Sequence, residues 1–194
     1  MNKKTSIDPK LVIVALDFPD ADSAMGMLEK LDPDLCRVKI GKELFTRCGP
    51  ELVKNIQGKG FDIFLDLKFH DIPNTVAGAI NAAVDMGVWM VNVHAGGGRV
   101  MMEAADKARD DTATLLTAVT VLTSLSVEDL HEVGIDCMPD VHVLRLAALA
   151  AQSGMDGVVC SAREIAMLRK QMAKDFLLVT PGIRPAGDSA GDQK

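Results

Sequence analysis

Asp66, Lys68 and Asp71 place a carboxylate, an ammonium and a second carboxylate in one short segment, FLDLKFHDIPNTV, that begins as an apolar run at Phe64. Phe64, Leu65, Leu67 and Phe69 are strand formers, and a strand buried on both faces has no cheap place for two charges. Side chains two apart on a strand point the same way, so Asp66 and Lys68 are expected on one face. His70, Asp71, Pro73 and Asn74 are loop residues that follow. Three charged groups are thereby gathered at the C-terminal end of a strand. Two acids can keep a lysine charged and oriented, and a lysine so held is a proton donor and a partner for developing negative charge. The competing reading is a salt-bridged strand end with Asn74 or Thr75 capping the next helix. Capping accounts for Asn74 and Thr75 and leaves an inward lysine unexplained.

The elements that must position these charges repeat along the chain. Apolar runs at 11–17, 36–41, 62–68, 90–95, 114–122, 157–162 and 177–183 predict seven strands. Helical spacing fills 20–31, 43–57, 75–86, a segment starting near Val100, and 162–172, with an insertion after the fifth strand helical at 127–133 and 139–153. Ala24, Met27, Leu28 and Leu31 are expected to face inward on the first helix, Leu44, Leu52, Val53 and Ile56 on the second, and Ala77, Ala79, Ala82 and Ala83 on the third. This alternation, with acids, lysines or turn residues at strand ends, predicts one α/β domain over 1–194: a (β/α)8 TIM barrel whose eighth β/α unit is absent from this sequence. An open doubly wound sheet shares the alternation but announces its nucleotide site by Gly-x-Gly-x-x-Gly after the first strand, where this chain has Leu16-Asp17-Phe18-Pro19. The triple glycine at 96–98 lacks that spacing and reads as a turn. In a barrel, Asp17, Lys39, Asp66, Lys68 and Asp71 converge at the strand C-termini, although Lys39 alone is an ordinary strand-end lysine and Asp17 alone a helix cap.

Composition narrows the function classes. At 194 residues, 48% hydrophobic and 25% charged, the chain suits one globular domain. A formal net charge of -6 argues against a general nucleic-acid binder. No apolar run approaches the ~18 residues of a membrane span, and LVIVALDF runs straight into Asp17 without a signal-like cleavage region, so a cytoplasmic location is expected. Cys36, Cys48, Cys137 and Cys160 have neither metal-like nor paired spacing and are expected as reduced thiols.

DLKFHDIPNT resembles the signature of the orotidine 5′-phosphate decarboxylase family, which makes uridine monophosphate from orotidine monophosphate in pyrimidine synthesis. The larger superfamily shares only Asp-x-Lys-x-x-Asp; Ile72, Pro73, Asn74 and Thr75 are what point to the decarboxylase. The resemblance implies that Asp17 binds the ribose, that Lys39, Asp66, Lys68 and Asp71 form an alternating charged array with Lys68 as proton donor, and that no metal or other cofactor is used. It implies a homodimer in which Asp71, Ile72 and Thr75 reach the neighbouring subunit's site. It gives Arg184 and Gln193 to the substrate's phosphate end and Thr123, in VLTS, to a contact near the fifth strand's loop; Ser124 is left without a role. VTPGIRP at 179–185 supports the phosphate assignment, since loops after barrel strands seven and eight commonly bind phosphate; the competing reading of Arg184 is a surface arginine in a Pro-rich turn. Rival readings are a metal-dependent aldolase, epimerase or phosphosugar decarboxylase of the same superfamily, and a catalytically silent nucleotide-phosphate binding protein. The resemblance runs from ALDF to GDQK, whereas the family continues with an eighth strand ending in a phosphate-holding Gly-Arg pair. Seven strands would leave LVIVALD and LLVTPGI with unpaired edges, so the natural polypeptide is expected to continue through an eighth strand and helix.

Overall fold

The structure is a computed structural model that describes residues 9–110 and 112–183. Among these residues the strands are β1 (Ile13–Ala15), β2 (Arg37–Gly41), β3 (Ile63–Phe69), β4 (Met90–His94), β5 (Leu115–Val119), β6 (Gly157–Val159) and β7 (Leu177–Val179). The helices are α1 (Ala21–Leu28), α2 (Lys42–Gln57), α3 (Pro73–Asp85), α4 (Gly98–Ala108), α5 (Val127–Glu132), α6 (Pro139–Gln152) and α7 (Ile165–Leu168). The strands follow sequence order in one sheet. β1 with β2, β2 with β3, β5 with β6 and β6 with β7 pair in parallel. A sheet that adds each strand beside the last without reversing is the architecture of a TIM barrel, here with seven units; a doubly wound sheet would reverse its order at a switch point.

Burial follows the strand positions. Inner strands β5 and β6 are almost wholly buried, whereas edge strands β1 and β7 are mostly half-buried and Leu11 and Val12, just before β1, are exposed.

Three expectations about helices change. Residues 42–57 form two helical pieces, because Gly49 (φ 65) and Pro50 break the run; the inward set Leu44, Leu52, Val53 and Ile56 is nonetheless buried. The Gly-Pro pair is the physical cause, since proline removes a donor and clashes with the preceding turn. Helix α3 starts at Pro73, so Asn74 and Thr75 lie in its first turn and do not cap it; Ile72 supplies the carbonyl that accepts from Thr75 and Val76. The buried residues of α3 are Val76, Ile80 and Ala83, while Ala82 is exposed, so the packing side carries larger side chains than four alanines would give.

The described chain falls into two compact units. One holds the residues up to Leu67 with Ala82–Val91 and Thr112–Thr114; the other holds Lys68–Asn81, the segment beginning at Asn92 and the chain from Leu115. In the first unit Arg37, at the start of β2, stacks 4.1 Å over the Trp89 ring, pairs with Asp62 at 3.4 Å and donates to the Lys10 carbonyl. In the second unit Arg109 donates to Asp156 at 2.6 Å, to Asp106 at 2.8 Å and to the Gly154 carbonyl at 3.0 Å. Asp156 also accepts from the Leu116 amide at 2.7 Å. Both arginines sit where strands begin, the end that barrels give to stability. The four cysteines are free, with Cys36 and Cys160 buried.

Candidate active site

The charged residues at the strand C-termini form one group in each unit. In the first, β2 alternates: Val38 and Ile40 are in the core, so Lys39 is carried on the other face. Its Nζ lies 3.2 Å from Asp17 Oδ1 and 3.3 Å from Asp66 Oδ2. Asp17 is largely exposed, so its pairing is screened by water and worth little; Asp66 is buried and depends on its partners. Asp17 is not a helix cap. Asp20 caps α1 by accepting from the Ser23 amide at 2.7 Å, and that hydrogen bond lowers its carboxyl below the usual range. Gly41 borders the cluster: a Cβ there would sit 3.4 Å from Lys39 Nζ.

In the second unit Lys68 departs from strand geometry. Its φ of 54° makes it the only non-glycine residue with positive φ among the described residues. A left-handed conformation costs an L-residue about 1–2 kcal/mol, and such strain persists only where surrounding contacts impose it. Strict alternation therefore stops at Lys68, and the expectation that it shares a face with Asp66 cannot be carried by periodicity through this point. The Lys68 amide donates to Asn92 Oδ1 at 2.7 Å.

Beyond Lys68 the chain turns. Asp71 is exposed and its Oδ1 accepts from the Ile72 amide at 2.6 Å. His70, Asp71, Ile72, Pro73, Gly96 and Gly97 line an open pocket of about 560 Å³. The His70 and His94 rings stack with centroids 5.3 Å apart. The triple glycine is a turn, as expected: residues Ala95–Gly97 form a 3-10 turn and α4 begins at Gly98, slightly before Val100. Gly97 lies close to Met101 and His70: a Cβ there would be 2.1 Å from Met101 Sδ, whose flexible end would have to move aside, and 3.2 Å from the His70 ring. Ile72 is 67% exposed and Thr75 is exposed beside it.

Thr123 lies, half-buried, in the turn after β5, closed by the Leu125 amide on the Leu122 carbonyl at 2.9 Å. Ser126 and Asp129 then make a capping box that starts α5. Arg184 and Gln193 lie outside the described residues. Asp17, Lys39 and Asp66 are thus brought together, and Asp71 and Ile72 share one pocket. Asn92, His70 and His94 were not among the expected site residues. Asn92 carried the same signal as Asp66, a polar residue inside an apolar strand run. Among the described residues no group of three or more His, Cys, Asp or Glu is placed to hold a metal ion, and no helix is long and apolar enough to cross a membrane.

Comparison with known proteins gives one answer. The model of the orotidine 5′-phosphate decarboxylase / HUMPS family matches residues 10–194. The orotidine 5′-phosphate decarboxylase of Marinomonas sp. (strain MWYL1) is 61% identical over 186 residues, which cover 94% of this chain and 79% of that protein. That of Chromohalobacter salexigens is 62% identical over 185 residues, covering 94% and 78%. Among solved structures, orotidine 5′-phosphate decarboxylase from Lactobacillus acidophilus superposes with a TM-score of 0.84 at 41% identity, over 90% of this chain and 82% of that one. An uncharacterized conserved protein from Geobacillus kaustophilus gives 0.83 at 42% identity, over 88% and 82%.

Proposed function

The chain belongs to the orotidine 5′-phosphate decarboxylase / HUMPS family, and from that premise we propose that it converts orotidine 5′-phosphate to uridine 5′-phosphate in pyrimidine biosynthesis, without a metal or other cofactor. The observation that carries the reading is the stretch Asp66 to Thr75, DLKFHDIPNT, in a chain about 60% identical to proteins of that name.

The chemistry asks a carboxylate to leave as carbon dioxide from a ring carbon that delocalises the remaining electron pair poorly. Lys68 is the group we assign beside that carbon: its ammonium faces the developing charge and then delivers a proton to the carbon, leaving a neutral amine. Lys39, Asp66 and Asp71 complete the alternating array that keeps Lys68 charged and oriented, and an acid of the array crowds the departing carboxylate. Two unit charges ~4 Å apart at an effective dielectric of ~20 interact by about 4 kcal/mol, roughly three powers of ten in rate. Repulsion alone is too small for a reaction this slow uncatalysed. Carbanion stabilisation and binding energy from the remote phosphate must supply most of the rest.

In the same reading Asp17 holds the ribose, Thr123 contacts the substrate from the loop after β5, and Arg184 and Gln193 take the phosphate. Asp71, Ile72 and Thr75 complete the neighbouring subunit's site in a homodimer. The exposure of Ile72 supports that role, since an apolar side chain in water gains by docking. We place the enzyme in the cytoplasm.

The test is the loss of orotidine monophosphate absorbance by the purified chain with and without a chelator. Turnover that survives chelation is expected. Chelator-sensitive turnover would favour a metal-dependent relative of the superfamily, and binding of uridine monophosphate without turnover would favour a silent binding protein.

A further inference from the structure

We propose that Asn92 is a positioning residue for Lys68: its side-chain oxygen holds the Lys68 main chain in the left-handed conformation from which the ammonium acts. The proposal rests on the reading of Lys68 as proton donor and adds a residue to which that reading gives no part.

Asn92 sits on β4 with no exposed surface, between Met90, Val91 and Val93, all buried. A primary amide in such surroundings is unfavourable unless hydrogen-bonded. Its partner is the Lys68 amide, at 2.7 Å. A main-chain N–H can only donate, so the atom facing it is the carbonyl oxygen of Asn92 and the orientation of the amide is fixed.

Lys68 needs such a partner because of its backbone. A parallel strand sends its N–H groups to main-chain carbonyls of the next strand, and φ 54° at Lys68 breaks the regular relation between the peptide planes before and after it. The side chain of Asn92 reaches across from β4 and meets the Lys68 N–H. The same φ changes the direction of the Cα–Cβ bond, and with it the starting point of the long lysine side chain. Left unheld, Lys68 would relax toward the extended conformation that L-residues prefer, and Nζ would move with it. Asn92 therefore acts on the reaction through the Lys68 main chain and touches no substrate itself.

Two substitutions separate positioning from bulk packing in the full chain. Asn92→Leu keeps the branched outline, with somewhat more bulk, and removes the acceptor; Asn92→Asp keeps both shape and acceptor. The Leu variant is expected to lose about 10- to 100-fold in kcat, since a displacement near 1 Å can cost about 10²-fold, while KM changes less than about threefold because a group used in the transition state is affected. The Asp variant is expected to recover at least about tenfold of that loss in kcat with KM again little changed, since it restores the acceptor. A folded Leu variant with kcat within about twofold of the parent overturns the proposal, as does an Asp variant no faster than the Leu variant. Should Asn92→Leu fail to fold by circular dichroism, a folded Asp variant more than about 100-fold slower than the parent overturns it as well. Lys68→Ala measured in parallel separates the two readings: activity in that variant removes the proton-donor assignment itself, whereas a dead Lys68→Ala beside a fully active Asn92→Leu removes only the positioning role.

Discussion

Lys39 Nζ lies 3.3 Å from Asp66 Oδ2 with both side chains largely withdrawn from water, at 19% and 12% exposed. A pair of this kind is worth little beside an apolar replacement of both partners, yet removing one partner takes a close counter-charge from the other. Lys39→Met is therefore expected to destabilise the chain by about 2–4 kcal/mol, and Lys39→Met with Asp66→Asn to be the more stable of the two. Urea denaturation of both variants checks the order. A double variant no more stable than the single one would show that the pair is not coupled.

The proposed homodimer, with Asp71 reaching the neighbouring subunit's site, predicts complementation. Lys68→Ala and Asp71→Ala chains are each expected to be inactive, while a mixed dimer holds one site with both defects and one with neither. Activity should return on mixing under conditions of subunit exchange. Demonstrated exchange without recovery would mean that Asp71 serves its own subunit.

Gly157 is required by the sheet itself. It pairs with Leu177 across β6 and β7, and a Cβ there would lie 2.3 Å from the Leu177 carbonyl oxygen and 2.7 Å from its carbon. Backbone cannot swing aside as a side-chain tip can, so Gly157→Ala must spread the two strands. A loss of at least about 1–3 kcal/mol is expected from overpacking, read as a lower denaturation midpoint. A midpoint equal to the parent's would refute the close approach.

Burial, aided by the nearby Glu164 carboxylate, pushes the Cys160 thiol up to about 12. An unfolded thiol ionises near pH 8.5, so in the window between that value and about pH 12 the unfolded chain has released a proton that the folded chain still holds. Unfolding is then favoured as pH rises, and stability present below that window is lost through it. Between pH 9 and 10 the parent should lose on the order of 1 kcal/mol more than Cys160→Ala. Equal losses in the two proteins would rule out Cys160 as the source.

The repeat of strand and helix was legible because it rests on burial: runs such as LVIVALD and TLLTAVTVL have only one comfortable place in a folded chain. The break in α2 was also written in the sequence, in the neighbours Gly49 and Pro50, but helical spacing on either side outweighed them. Charged residues in apolar strands pointed to Asp66 and Lys39, and the distances bring both together with Asp17. The conformation of Lys68 could not be read, since residue type predicts a left-handed backbone for glycine and asparagine and lysine carries no such preference. Its hydrogen bond with Asn92 is not legible for a related reason: strand periodicity describes side chains against a core, and this contact joins a side chain to a main chain.

With Lys68 assigned as proton donor, the left-handed lysine sets thermal resistance and turnover against each other at one position. Glycine adopts that backbone at no steric cost, so a library of variants sorted by heat alone would reward Lys68→Gly even as it discards the ammonium. Stability-guided engineering of this chain should therefore fix position 68 at the outset, and family-wide design rules that trim unfavourable backbone angles would erase the feature that chemistry retains.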